Sequence, residues 1–198
     1  MKTLAIVLLV ALAIFLVLFV TLIGRRRLAQ RTTTVVPVPP APPGAGAGQV
    51  RFGPLEAVYV STTLHGDWLA RVGAHGLGDR SNALVSVHDG GVLVERAGSE
   101  DLWLPVDAIR SAGLAPGMAG KYVGADGLVV LTWAIPESDA VPAALVDTGL
   151  RTRRAQDRGG LVDAVRYLLA AQQQVQHPQQ FPHQQDPYQQ DPHQQEAR

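Results

Sequence analysis

Residues Leu4 to Ile23 read LAIVLLVALAIFLVLFVTLI, and Thr21 is the only polar side chain in the run. As a helix, a segment of that length is about 30 Å long, the thickness of the hydrocarbon layer of a bilayer. The run predicts a transmembrane helix. A secretory signal peptide would be shorter in its apolar part, with its positive charge ahead and a small-residue cleavage site behind. Here only Lys2 precedes the run, whereas Arg25, Arg26, Arg27 and Arg31 follow it. Basic residues stay on the cytoplasmic side, so the expected topology is a single pass in the cell membrane, N-terminus outside and everything after Gly24 inside.

Behind this anchor (residues 1–24) the chain divides by composition. Residues 25–53 are basic and then rich in Pro, Gly and Ala (TTTVVPVPPAPPGAGAG), which favours an extended backbone with little to bury and predicts a tether. Residues 173–198 carry repeated Gln-Gln-Asp-Pro and few apolar side chains, the composition of a disordered tail. His177, His183 and His193 in that tail have no fixed ligand spacing. One domain's worth of chain, 54–172, lies between.

Within that domain the hydrophobic period is mostly two. EAVYVSTT alternates, and NALVSVHDGGVLVERAG is two alternating runs around Asp89-Gly90-Gly91, a hairpin signal because such turns need positive φ. DLWLPV, GLVVLTWAI and AALVDTGLRTR add strands. Only DRGGLVDAVRYLLAAQQ changes period, with Leu161, Val162, Val165, Leu168 and Leu169 forming a helical stripe. The expected class is mainly β: about seven strands in an antiparallel barrel or sandwich, capped by one C-terminal helix.

The stretches YVSTTLHGDWLARVGAHGLGDRS, GVLVERAGSEDLWLPVDAIRSAGLAPGMAGK, GLVVLTW, LVDTGLRTR and LVDAV resemble the actinobacterial single-pass membrane proteins that carry a pleckstrin-homology-like (PH-like) domain. The resemblance runs from Leu4 to about Ala170. It implies a PH-like split β-barrel of seven strands with a C-terminal helix, and no established activity. A transporter label sometimes given to such proteins does not suit a chain with one spanning helix, which forms no substrate pathway alone.

Basic and acidic side chains number 17 each, so no global field steers the chain to nucleic acid. There is no cysteine, which excludes thiolate chemistry and disulfides. GLAPGMAGKY lacks the first glycine and the hydroxyl of a P-loop, since Ala115 and Tyr122 stand in those places, and reads as a turn with Lys121 solvated. Asp147-Thr148-Gly149 matches the aspartic-protease triplet, but too little chain follows it for half of that fold, so it reads as a strand end and bend.

The segment richest in chemistry is His65–Arg80. No metal frame fits His65, Asp67, His75 and Asp79, and neither Ser61 nor Ser81 has a nucleophile elbow. The spacing predicts a short helix capped by Asp67, with Trp68, Leu69 and Val72 plugging one mouth of the barrel and Arg71 and His75 sharing the other face. Arg71, His75, Asp79 and Arg80 are therefore the candidate partner-binding residues. Arg151, Arg153, Arg154 and Arg158 form a second candidate, a basic patch for a partner or anionic lipid head groups, unless Asp147, Asp157 and Asp163 pair with them. The favoured function is a non-catalytic, membrane-anchored cytoplasmic binding or scaffolding module without metal or cofactor, holding the bilayer through Leu4–Ile23 and a protein or lipid head group through its domain. The alternative is a hydrolase-type enzyme using the His65–Arg80 loop, which requires His65 or His75 to meet a carboxylate.

Overall fold

The computed structural model describes residues 2–138 and 140–176; within its helices the side chains at 2–5, 21–22, 25–28, 45 and 175–176 lie outside that description. The Gln/Pro-rich stretch 177–198, with His177, His183 and His193, is likewise outside the described residues.

The apolar run and the arginines behind it make one helix, α1 (Lys2–Thr32). Side chains from Ile6 to Val20 stand exposed along it, with the Phe15 and Phe19 rings stacked. Among the described residues no helix is long and apolar enough to cross a membrane.

Among the described residues nine strands follow: β1 (Val50–Leu64), β2 (Ser81–His88), β3 (Gly91–Arg96), β4 (Leu102–Pro105), β5 (Ile109–Ala115), β6 (Gly117–Met118), β7 (Lys121–Tyr122), β8 (Leu128–Ile135) and β9 (Ala144–Thr152), then helix α2 (Asp157–Gln176). Seven of them form one antiparallel sheet in the order β4-β3-β2-β1-β9-β8-β5, while β6 and β7 make a separate small hairpin. The long β1 is the strand both halves share: from Val50 to Tyr59 it pairs with β2, and from Ala57 to Leu64 with β9. β4 and β5, at the two ends of that order, have no ladder between them. The expected barrel is thus not closed, and the strand count of its sheet is seven.

The Asp89-Gly90 turn joins β2 to β3 where the sequence placed it, with His88 opposite Gly91. One face of the sheet buries Tyr59, Val85, Val92, Leu104, Leu131, Trp133 and Leu150. α2 closes that core with the apolar stripe legible in the sequence, Leu161, Val162, Val165 and Leu168. Burial of each contributes at most roughly 1.5–3 kcal/mol. Arg166 of α2 donates through Nε to the Ala112 carbonyl of β5 at 3.0 Å, so the helix also covers part of that strand's unpaired edge.

The stretch expected as a tether is divided differently. Residues to Thr32 belong to α1, Val50–Gly53 belong to β1, and the chain between them lies against the sheet. Val36 joins the main core, and Pro37 and Ala47 are buried. Gly90 donates its N–H to the Ala47 carbonyl at 3.0 Å, and Asp89 holds Gln49 and Arg51. A proline-rich composition lowers the entropy of an extended chain, and the few apolar side chains in it suffice to pin it.

Candidate functional site

The loop after β1 begins as a small hairpin. Leu64 donates to the Ala70 carbonyl at 3.0 Å, and Thr63 bridges Arg71. At its tip the Asp67 carboxylate accepts N–H bonds from Leu69 (3.0 Å) and Ala70 (3.2 Å), a side-chain-closed turn rather than the start of a helix. Trp68 is 54% exposed and Leu69 61%, so the expected plug is corrected: of its three residues Val72 alone is buried, joined in the core by Ala74 and Leu77. A short 3-10 turn, Ala74–Gly76, begins only after Arg71, so Arg71 and His75 have no shared helical face.

His75 takes a left-handed backbone (φ 54°) and donates from Nε2 to the Val36 carbonyl at 3.0 Å. Just before it, Gly73 and Ala74 donate their N–H groups to Thr32 Oγ1 at 3.0 and 2.8 Å. This part of the loop therefore grips the end of α1 and the strap behind it. Asp79 is half-buried and close enough to the Tyr59 phenol to influence it, and Arg80 is exposed. Of the four candidate binding residues, His75 is committed to holding the strap and Arg80 is open to solvent.

The basic patch is split by the fold. Arg151 near the end of β9 and Arg153 just past it flank buried Thr152, and both stand exposed. Arg153 pairs with Glu56 at 3.2 Å, a solvent-exposed contact of the kind that contributes about 0–1 kcal/mol. Arg154 is exposed, whereas Arg158 sits on α2 and donates to the Asp126 carbonyl at 2.9 Å. Arg151 and Arg153 line a cleft of about 660 Å³ together with Glu56, Glu95, Val58 and Leu84. Its lining carries both signs of charge beside the apolar Val58 and Leu84.

Asp147, the acid of the Asp-Thr-Gly triplet, lies within β9 and meets His65, a contact that spacing did not reveal. His65 Nδ1 donates to the two carboxylate oxygens at 3.0 and 3.1 Å, and Thr132 Oγ1 donates to Oδ1 at 2.7 Å. The carboxylate fixes the imidazole tautomer and leaves Nε2 as an available acid–base atom on a half-exposed ring. Thr132 serves the carboxylate, not the imidazole, so it is not an activated nucleophile. Neither His65 nor Asp147 lines the cleft described above. Gly149 is small because Met118 covers it: a Cβ there would lie 2.7 Å from the Met118 sulfur.

Beneath the loop runs a polar chain through the core. The Tyr59 hydroxyl donates to the Leu77 carbonyl (2.7 Å) and shares a 2.7 Å bond with Thr62, which shares one of 2.8 Å with Thr148; Trp133 Nε1 donates to Thr148 Oγ1 at 2.9 Å. Burial pushes the Tyr59 phenol up to about 12, against the opposing pull of its Thr62 bond and the Arg96 guanidinium, 4.8 Å from its ring centre. The Asp89 carboxyl is held below its usual range, first by the Arg51 side chain and then by the Gln49 N–H. Among the described residues no group of three His, Cys, Asp or Glu side chains could hold a metal ion.

A shared β1, two sheet halves open at β4 and β5, and a C-terminal helix over the core define a PH-like domain. The family described as Bacterial PH domain-like matches residues 35–166, and the chain belongs to it. The match begins one residue before Val36, so the strap that packs on the core falls inside the family region. No curated protein shows a significant match to this chain.

Proposed function

We propose that the chain is a membrane-anchored, non-catalytic binding module: α1 enters the inner membrane face through Leu4–Ile23, and the cytoplasmic PH-like domain holds a protein segment or lipid head group. The family supports a binding or scaffold role for the domain. The observation that carries the anchoring is α1 itself, whose apolar side chains from Ile6 to Val20 are exposed while its last turn is hydrogen-bonded to the domain. An exposed apolar surface of that extent needs a non-aqueous surrounding. The cleft walled by Arg151, Arg153, Glu56 and Glu95 is the binding surface for a mixed-charge partner. The topology is tested by a cysteine at the exposed Thr34, the chain having none of its own. In intact cells a membrane-impermeant thiol reagent should leave Thr34→Cys unlabelled until the membrane is permeabilised. Labelling without permeabilisation overturns the cytoplasmic placement.

The His65–Asp147 contact favours a second reading, an enzyme using His65 Nε2 as its base. Its requirement is a substrate pocket at that atom, and turnover abolished by His65→Gln would establish it.

A further inference from the structure

Two hairpins meet beside the loop that grips α1. Ala119, at the turn between β6 and β7, donates its N–H to the Trp68 carbonyl at 2.7 Å, and Leu69 lies over Gly120. Three large side chains project from this joint without burial: Trp68, Leu69 and, at 75% exposure, Tyr122. Lys121 is exposed beside Tyr122, while the Asp67 carboxylate is turned back on backbone N–H groups. Two amphipathic aromatic rings, an aliphatic side chain and a basic residue are the composition that settles at a membrane interface.

Geometry relates this tip to the bilayer. Thr32, the residue that clamps Gly73 and Ala74, stands nine positions after Ile23, or about 13 Å further along the helix. The head-group layer is about 5–8 Å deep on each side. The difference of about 5–8 Å is less than the roughly 10 Å that three residues of extended chain cover, so the Leu64–Ala70 hairpin is long enough to bridge it.

We infer that Trp68, Leu69 and Tyr122 form a second membrane contact that docks into the head-group layer of the bilayer entered by α1, with Lys121 favouring anionic lipid. The inference rests on the anchoring reading above and deepens it. It makes the domain lie against the membrane rather than hang from it, and so orients the Arg151–Arg153 cleft.

Trp68 is the exposed tryptophan, Trp103 and Trp133 being buried, so its emission reports the tip. The full chain is reconstituted in vesicles of phosphatidylcholine and phosphatidylglycerol, with or without brominated acyl chains. Brominated lipid should quench the wild-type emission, and Trp68→Phe should lose at least about half of that quenching. Lys121→Glu should weaken it, and Trp68→Ala should leave the thermal midpoint unchanged. If the chain floats with the vesicles but Trp68 is quenched by aqueous acrylamide and not by brominated lipid, the docking is wrong and the anchoring stands. Protection from acrylamide that grows only with the protein-to-lipid ratio assigns the tip to a second copy and overturns the docking. Failure to float with vesicles at all overturns the anchoring reading and the docking with it.

Discussion

Replacing Thr148 by Val should destabilise the domain more than replacing Tyr59 by Phe, although each removes one buried hydroxyl. In Tyr59→Phe the Leu77 carbonyl still accepts from the Thr62 N–H at 2.8 Å, and the Thr62 hydroxyl still shares its bond with Thr148. No buried group is orphaned, and the loss is that of ordinary hydrogen bonds, about 0.5–1.5 kcal/mol. In Thr148→Val the shape is kept, but the indole N–H of Trp133, a fully buried side chain, loses its acceptor. An unsatisfied buried donor carries its whole desolvation penalty, about 1–3 kcal/mol, added to the lost bond with Thr62. The expected order is Thr148→Val at about 2–4 kcal/mol and Tyr59→Phe at about 1 kcal/mol. Near-UV circular dichroism of the full chain in detergent, followed through thermal unfolding, reads this directly, because 1 kcal/mol moves the midpoint of a domain this size by about 2–8 °C. Equal shifts, or a larger one for Tyr59→Phe, would refute the reasoning that satisfaction of the indole N–H, rather than the number of bonds removed, sets the stability here.

Two further perturbations address other parts of the molecule. Because the Tyr59 phenol is raised from about 10 to about 12 in the fold, its contribution is complete below pH 10 and is lost as pH rises from about 10 through 12; the thermal midpoint should fall over that interval, and Tyr59→Phe should flatten the slope, an unchanged slope counting against burial as its cause. Val36→Asp puts an unpaired charge at a fully buried site of the strap and should speed tryptic cleavage after Arg31 while the sheet's far-UV signal persists; unaltered cleavage would mean the strap is held without Val36.

The elements with strong local signals were legible. The apolar, β-branched run in GLVVLTWAI and the turn at Asp89-Gly90 translate into β8 and the β2–β3 hairpin because their signals are contained in a few neighbouring residues. The stripe of α2 was equally plain. Trp68 misled because an aromatic next to Leu69 reads as core, whereas the Asp67 carboxylate closes a turn that points both side chains outward. The grip of His75 on Val36, and the pairing of His65 with Asp147 across 82 residues, depend on how β1 registers with β9 and where the strap crosses, and no local pattern carries that. The arginines of the expected patch are close in the chain, but only Arg151 and Arg153 share one cleft, while the start of α2 carries Arg158 to the Asp126 carbonyl.

The strap between α1 and β1 is fixed at Thr32, Val36 and Pro37 near one end and at Ala47 and Gln49 near the other, so slack is confined to residues 38–43. Changes of chain length are tolerated unequally along it. Residues inserted among 38–43 would bulge into solvent and leave every fixed point where it is. A single residue inserted into the last turn of α1 would instead turn the rest of that helix by about 100° relative to Thr32 and carry it about 1.5 Å along its axis. The helix and the sheet are therefore geared together in phase, and a partner that rotated α1 would be felt first at the Gly73–His75 turn.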